Sequence, residues 1–284
     1  MDEEPRFILF QFLLSEEVSQ IDMKRCLIAL LWVLVVFCPK STVHALDEWG
    51  HLTGTIRIEG EVPAPEAEIV DKDQTTCLAN DKQPLDDNLI VDKSGGLRDV
   101  FVMMLLKPDS PKPAVHSSYN ETFSQPVELD NKDCRFVPHA VFVRTGQTFR
   151  LKNSDDVGHN THVTTFNNEA NVTIPTSDHV DVVLKETDKS PGNVVCDIHR
   201  WMDAVVLVRE EPYVAITQDD GSFEIKHIPC GEWEFQFWHK KAGYLKDLKI
   251  ANYKVGRRGE IKIKITDGQT LDLGQMTFPA TSLK

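Results

Sequence analysis

A short segment of the chain places three metal-binding side chains at equal spacing. The segment VVCDIHRWMDAVVLV contains Cys196, His199 and Met202, each three residues after the one before, between two apolar stretches. Thiolate and thioether sulfur favour copper(I), and imidazole binds either oxidation state of copper. Zinc also binds Cys and His, but it takes N, O and thiolate ligands rather than a thioether. The three side chains therefore predict a copper site in which Met202 is a weak ligand.

The segment KNSDDVGHNTHV can supply a second histidine. His159 follows a polar turn and begins a predicted strand, so it can project across the end of a β-sandwich onto the cysteine-containing loop. Two histidines and one cysteine with a weak axial methionine form the ligand set of blue copper centres. His162 lies one alternation further along and is expected to face outward or to support the site.

The two segments together resemble a cupredoxin of the plastocyanin and amicyanin type. The resemblance is carried by GQTFRLKNSDDVGHNTHV and by CDIHRWMDAVVLV, whose short C-x-x-H-x-x-M loop matches the amicyanin-like form. It implies a cupredoxin Greek-key β-sandwich with one type 1 copper centre. The four ligands that it implies are His159, Cys196, His199 and Met202.

The same resemblance implies roles for residues around the ligands. Asn160 corresponds to the residue that ties the two ligand loops together. Asp197 stands where the family often has Ser or Thr, and Arg200 where it commonly has Pro, so the surroundings of the metal are expected to differ. Trp201 is expected to shield the copper from water or to pack against a neighbouring domain. His139 is a candidate for a residue that supports a ligand, although a purely structural role is favoured for it.

The mature chain reads as all-β. Short apolar alternations bounded by Gly, Pro, Asn or Asp recur along it, and no segment shows a sustained helical period. A fresh set of strands begins near Pro212. The predicted parts are an upstream extension with a signal peptide (1–45), a copper domain with a long N-terminal excursion (46–210) and a second small β-sandwich (211–284).

The last part resembles a carboxypeptidase regulatory-like β-sandwich module. The resemblance is carried by AITQDDGSFEIKHIPCGEWEFQFWH within residues 213–278, although Cys230 replaces a Pro often found there. Such modules are commonly noncatalytic, so the resemblance implies a docking or stabilising role.

The N-terminal segment predicts export. From Met23 the chain has a basic start, an apolar run and a small residue at Ala45, which is typical of a secretory signal peptide. The alternative, a membrane anchor, is disfavoured because the apolar run is shorter than the roughly 20 residues that span a bilayer. A periplasmic or secreted protein can keep disulfides. Cys77 and Cys134 are the candidate pair, with reduced core cysteines as the alternative.

Charge and missing motifs narrow the function. A net charge of −13 argues against nonspecific binding to nucleic acid or to anionic membranes. The sequence has no His-x-His pair for a trinuclear copper centre and only one cysteine in the ligand loop. We therefore expect a one-electron carrier rather than an enzyme, partnered by a cytochrome, dehydrogenase or reductase. The alternative is a noncatalytic binding or adhesion protein for carbohydrate or protein, with a vestigial or copper-storing site.

Overall fold

The computed structural model describes residues 48–79, 82–107 and 110–283. The predicted signal peptide lies outside these residues. Within them, no helix has the length and apolar character required to span a membrane.

Strands make up most of the regular structure of the described residues, which confirms the all-β prediction. We number the strands β1 to β17 and the two short α-helices α1 and α2, and a 3-10 helix, Ala280–Ser282, follows β17. Their bounds are β1 Trp49–Glu59, α1 Gln74–Cys77, β2 Phe101–Leu105, α2 Ser118–Ser124, β3 Val127–Lys132, β4 Arg135–Val137, β5 Ala140–Arg144, β6 Thr148–Asn153, β7 His159–Thr164, β8 Glu169–Ile174, β9 Asp178–Val183, β10 Gly192–Val195, β11 Asp203–Arg209, β12 Val214–Ile216, β13 Ser222–Pro229, β14 Gly231–His239, β15 Gly243–Tyr244, β16 Glu260–Ile265 and β17 Thr270–Pro279.

Two sheets form the first sandwich. One has the strand order β5-β11-β10-β7-β8 and the other β4-β3-β6-β9. Alternation in the sequence explains the burial: in β6, TFRLKN, every second residue is buried and the others are partly exposed. The buried residues of both sheets pack into one apolar cluster that includes Leu151, Val163 and Val194.

The second sandwich draws on both ends of the chain. Its sheets have the orders β13-β1-β17 and β12-β2-β14-β15, with β16 also paired to β14. Strands β1 and β2 precede the first sandwich in sequence, yet they pair with strands that follow residue 211. The strand pairing thus crosses the boundary predicted near Pro212, because long-range backbone pairing leaves no mark in local composition.

A separate apolar cluster joins the two sandwiches. Phe101 and Met103 of β2 pack there with Ala140 of β5 and with Val205 and Leu207 of β11. Because β11 is apolar on both faces, it contributes to this cluster and to the core of the first sandwich. Strand β11 is therefore held between the two sandwiches.

Strands β7 and β10 bring the two predicted ligand segments together. They are antiparallel neighbours, with Val194 opposite Val163 and Val195 opposite His162. A Cβ at Gly192 would lie 2.6 Å from Thr164 O, so this close approach requires glycine at the start of β10. The loop after β10 consequently lies beside the start of β7.

Candidate metal centre

Three of the four predicted ligands converge on one buried point. Cys196 Sγ lies 3.9 Å from His159 Nδ1 and 3.7 Å from His199 Nδ1. The two Nδ1 atoms are 2.9 Å apart. All three side chains are buried, and they belong to one group of side chains with the spacing of a metal site.

His159 begins β7 and is oriented by a carboxylate from the preceding turn. Its Nε2 lies 2.9 Å from Asp155 Oδ2. Asp155 also accepts the backbone N–H groups of Asp133 and Cys134, which fix the carboxylate in turn. Burial alone would raise the pKa of Asp155, but the hydrogen bonds from His159 and these amides lower it below its ordinary value. Asp155 therefore stays ionised and holds the ring of His159 in place.

His199 is held by a carboxylate from a distant part of the chain. Its Nε2 lies 2.8 Å from Asp73 Oδ2, and the His199 side chain is completely buried. Asp73 immediately precedes α1, and a disulfide between Cys77 and Cys134 ties that helix to the first sandwich. The excursion before β2 thus covers the edge of the His199 ring.

Met202 closes the ligand loop. Its backbone N–H donates to His199 O at 2.9 Å, and its carbonyl accepts the backbone N–H of Cys196 at 3.1 Å. Its side chain is buried in the same apolar cluster as Cys196. The backbone N–H of His199 donates to Cys196 Sγ at 3.4 Å, so the sulfur is held within the loop.

Asn160 joins the two ligand segments. Its Oδ1 accepts the backbone N–H of Asp197 at 2.8 Å and that of Ile198 at 3.3 Å. Its Nδ2 donates to Asp197 Oδ2 at 2.8 Å. The Asp197 carboxylate also contacts His162 and accepts from Asn171, and these hydrogen bonds lower its pKa, that from His162 most strongly. Asp197 thus fixes the outer side of the loop, where the resemblance suggested Ser or Thr.

Trp201 packs against one ligand and is bonded beside the disulfide. Its ring lies edge-on to His199 with the centroids 5.1 Å apart, and its Nε1 donates to Cys134 O at 3.1 Å. The indole therefore covers part of the imidazole.

His139 lies away from the predicted ligands. Its ring nitrogens face the carboxylates of Asp87, Asp99 and Asp203 rather than a predicted ligand. Its backbone carbonyl accepts from Val205 of β11. The position of His139 just before β5 did not predict its contacts with these carboxylates, because the four residues come from four separate segments.

Sequence reasoning also missed the two carboxylates behind the ligand histidines. Asp155 lies four residues before His159 in the same turn, so its position was a usable signal. Asp73 lies far from His199 in sequence, and no local pattern connects them.

Burial and hydrogen bonding act in opposite directions on the thiol. Burial alone would raise the pKa of Cys196, but hydrogen bonds with His159 and His199 outweigh it and lower the pKa to about 6. For His159, burial favours the neutral ring, yet Asp155 and Cys196 raise its pKa to about 9. Without a metal, a positive charge therefore lies on the imidazole beside a thiolate.

The donor atoms fit a copper ion. A carboxylate only accepts hydrogen bonds, so each Nε2 facing Asp155 or Asp73 must carry the proton. Without a metal, the Nδ1 proton of the charged His159 lies between the two Nδ1 atoms, which are 2.9 Å apart. A metal ion bound to both Nδ1 atoms would take the place of that proton. A carboxylate behind each ligand histidine is the usual device for orienting such rings.

Comparison with known proteins gives only distant likenesses. No protein-family model matches the chain, and no curated protein matches it. A copper-containing nitrite reductase from Thermus scotoductus SA-01 aligns at 16% identity over 38% of this chain and 28% of that chain, with a TM-score of 0.28. The chain thus matches less than a third of that enzyme.

Two smaller copper proteins align over nearly their whole length. A purple cupredoxin from Nitrosopumilus maritimus has 20% identity and a TM-score of 0.25 over 28% of this chain and 97% of its own. A reduced copper(I) form of an amicyanin variant has 18% identity and a TM-score of 0.27 over 38% of this chain and 98% of its own. At these scores the assignment of a metal depends on the donor geometry alone.

Proposed function

We propose that the chain is an exported type 1 copper protein that carries single electrons. The observation that supports this most is the convergence of Cys196 Sγ with the Nδ1 atoms of His159 and His199, while both Nε2 atoms face carboxylates. Soft sulfur combined with two imidazoles is a donor set that copper prefers. Met202, buried in the same loop, is proposed as the weak axial ligand.

The surrounding residues keep the geometry of the donors fixed. Asp155 and Asp73 set the orientation of the two rings, and Asn160 fixes the loop that carries the thiolate. Complete burial of both histidines excludes bulk water from the donors. When bound, copper supplies the electron by changing between two oxidation states. A rigid, water-free donor set minimises the rearrangement that accompanies this change.

The partner and location are part of the proposal. A redox protein such as a cytochrome, dehydrogenase or reductase would exchange the electron, and an acidic chain of net charge −13 favours a basic docking face on that partner. The signal-peptide pattern supports a periplasmic or secreted location. The second sandwich is proposed to stabilise or dock the first, since β2, β5 and β11 already share an apolar cluster.

Copper titration tests the proposal. Adding copper(II) to the metal-free protein is expected to produce an intense visible absorption at one equivalent per chain. Cys196→Ser should abolish that absorption because the thiolate is the donor responsible. Cys230→Ser is the matched control, since Cys230 is the other free cysteine of the described residues and should leave the spectrum unchanged.

The opposite result has a clear meaning. A correctly folded protein that stays colourless with copper and binds a glycan tightly would contradict electron transfer and support a binding module. Circular dichroism of each variant separates this outcome from misfolding.

A further inference from the structure

A second cluster of metal-binding side chains lies where the two sandwiches meet. It comprises Asp87 from the excursion, His139 between β4 and β5, and Asp203 at the start of β11, and we call it the junction cluster. One ligand atom from each lies within 4.8 Å of the others. None of its members belongs to the proposed copper centre.

His139 is the central residue of the junction cluster. Its side chain is only 2% exposed. Its Nδ1 lies 3.2 Å from Asp99 Oδ2, and since a carboxylate only accepts, Nδ1 carries the proton in this contact. Burial alone would lower the pKa of His139, but its contacts with the carboxylates of Asp203 and Asp99 raise it to about 9. Without a metal, Nε2 therefore also carries a proton, and a metal ion bound there would replace it. A carboxylate behind a histidine is the arrangement that orients metal-binding imidazoles.

The free nitrogen of His139 points at two carboxylates without bonding well to either. Nε2 lies 3.4 Å from Asp203 Oδ1 and 3.7 Å from Asp87 Oδ1. It is buried, and it makes no hydrogen bond of ordinary geometry. N–H···O hydrogen bonds normally measure about 2.7–3.2 Å, so these contacts are too long. A buried nitrogen of this kind calls for a partner.

A metal ion accounts for these separations. Zinc binds nitrogen and carboxylate oxygen at about 2.0–2.2 Å in tetrahedral geometry, which places neighbouring ligand atoms about 3.3–3.6 Å apart. The measured 3.4 and 3.7 Å are close to that range. Asp87 and His139 also line a cavity of about 490 Å³.

We propose that the junction cluster is a second metal site, selective for a borderline divalent cation such as Zn²⁺ rather than copper(I). Its three ligands are Asp87, His139 and Asp203, and Asp99 positions the histidine. One imidazole and two carboxylates offer nitrogen and oxygen but no sulfur, and copper(I) prefers soft sulfur ligands. The two sites of one chain would therefore bind different metals.

Lysine competes for the same position. Lys240 Nζ lies 2.6 Å from Asp203 Oδ1, the oxygen proposed to bind the metal. Arg135 instead contacts Asp87 Oδ2 and leaves Oδ1 free. An arriving cation must displace the Lys240 ammonium from Asp203. The alternative is that the cluster is an ion-pair network that needs no metal, and Lys240 is the residue that distinguishes the two.

Zinc binding tests the proposal. The protein is first loaded with one equivalent of copper, dialysed against graded ZnCl₂, and both metals are counted per chain. We expect one zinc per chain. His139→Gln should weaken zinc binding at least tenfold, as loss of a ligand costs no less than loss of an outer partner. Lys240→Met should strengthen it several-fold because the competing ammonium is gone.

Two further measurements keep the result interpretable. His227→Gln, which changes an imidazole outside the cluster, should leave zinc binding unchanged. Lys240→Met gains affinity in a folded protein, so its result does not depend on whether His139→Gln folds. Copper content, counted in the same samples, shows separately whether the proposed copper centre exists. Absence of zinc binding, or zinc binding indifferent to both His139→Gln and Lys240→Met, would overturn the proposal and leave an ion-pair network only.

Discussion

The proposed copper centre and the junction cluster use the same device with different donors. In each, a carboxylate accepts a hydrogen bond from one nitrogen of a buried imidazole, and the other nitrogen is available to bind a metal. Asp155 accepts from His159, and Asp99 accepts from His139. In the copper centre the free nitrogens face each other and a thiolate. In the junction cluster the free nitrogen faces two carboxylates, one of which also contacts Lys240.

The difference shows what decides metal preference. The outer carboxylate fixes the ring in both places, so orientation does not distinguish them. The distinguishing feature is the softness of the facing atoms, sulfur in one case and oxygen in the other. The surroundings of the two sites also differ. A lysine ammonium lies beside Asp203, whereas Trp201 and apolar side chains enclose the copper donors.

Removing the disulfide, which lies beside the proposed copper centre, should have the largest effect on stability. The double variant Cys77→Ser with Cys134→Ser is expected to lower the free energy of unfolding by about 4 kcal/mol, given the loop that a 57-residue separation closes. Urea unfolding followed by tryptophan fluorescence measures this. Cys230→Ser should change stability by less than about 0.5 kcal/mol. Equal losses in both variants would contradict a specific role for the disulfide.

Exchanging each outer carboxylate for an amide should affect one metal only. Asp155→Asn is expected to weaken copper binding about 10–100-fold, and Asp99→Asn to weaken zinc binding of the copper-loaded protein by a similar factor. Each variant serves as the control for the other, since Asp155→Asn should not alter zinc affinity and Asp99→Asn should not alter copper affinity. If either variant weakened both metals equally, the two clusters could not be independent. Competition with chelators of known affinity gives the numbers.

Replacing the weak ligand should have the smallest effect on copper retention. Met202→Leu is expected to raise the reduction potential and to leave copper bound, because a weak axial ligand tunes the metal rather than holds it. The similar volume of leucine should cost less than about 1.5 kcal/mol in stability. A redox titration with the copper content measured alongside checks both. Loss of copper in this variant would mean that Met202 is a principal ligand, and the ranking of donors would be wrong.

Much of the architecture could be predicted because local patterns specify it. Alternation in segments such as TFRLKN and EIKIKI predicts strands with one buried face, and these strands form β6 and β16. The assignment of individual strands to the two sandwiches could not be predicted in the same way. Strands β1 and β2 are no different in local pattern from those of the first sandwich, yet backbone pairing assigns them to the second.

The ligand loop could be predicted from the chain alone, because Cys196, His199 and Met202 lie within seven residues and a tight loop keeps them close whatever surrounds it. The residues that contact this loop depend instead on how distant segments fold together. The pairing of β7 with β10 brings His159 to within 3.9 Å of Cys196 Sγ. Chain reversal over more than a hundred residues places Asp73 on His199. The junction cluster likewise forms only where separate segments meet. Its polar groups are buried and therefore need polar partners, and these partners come from segments that no local sequence pattern connects.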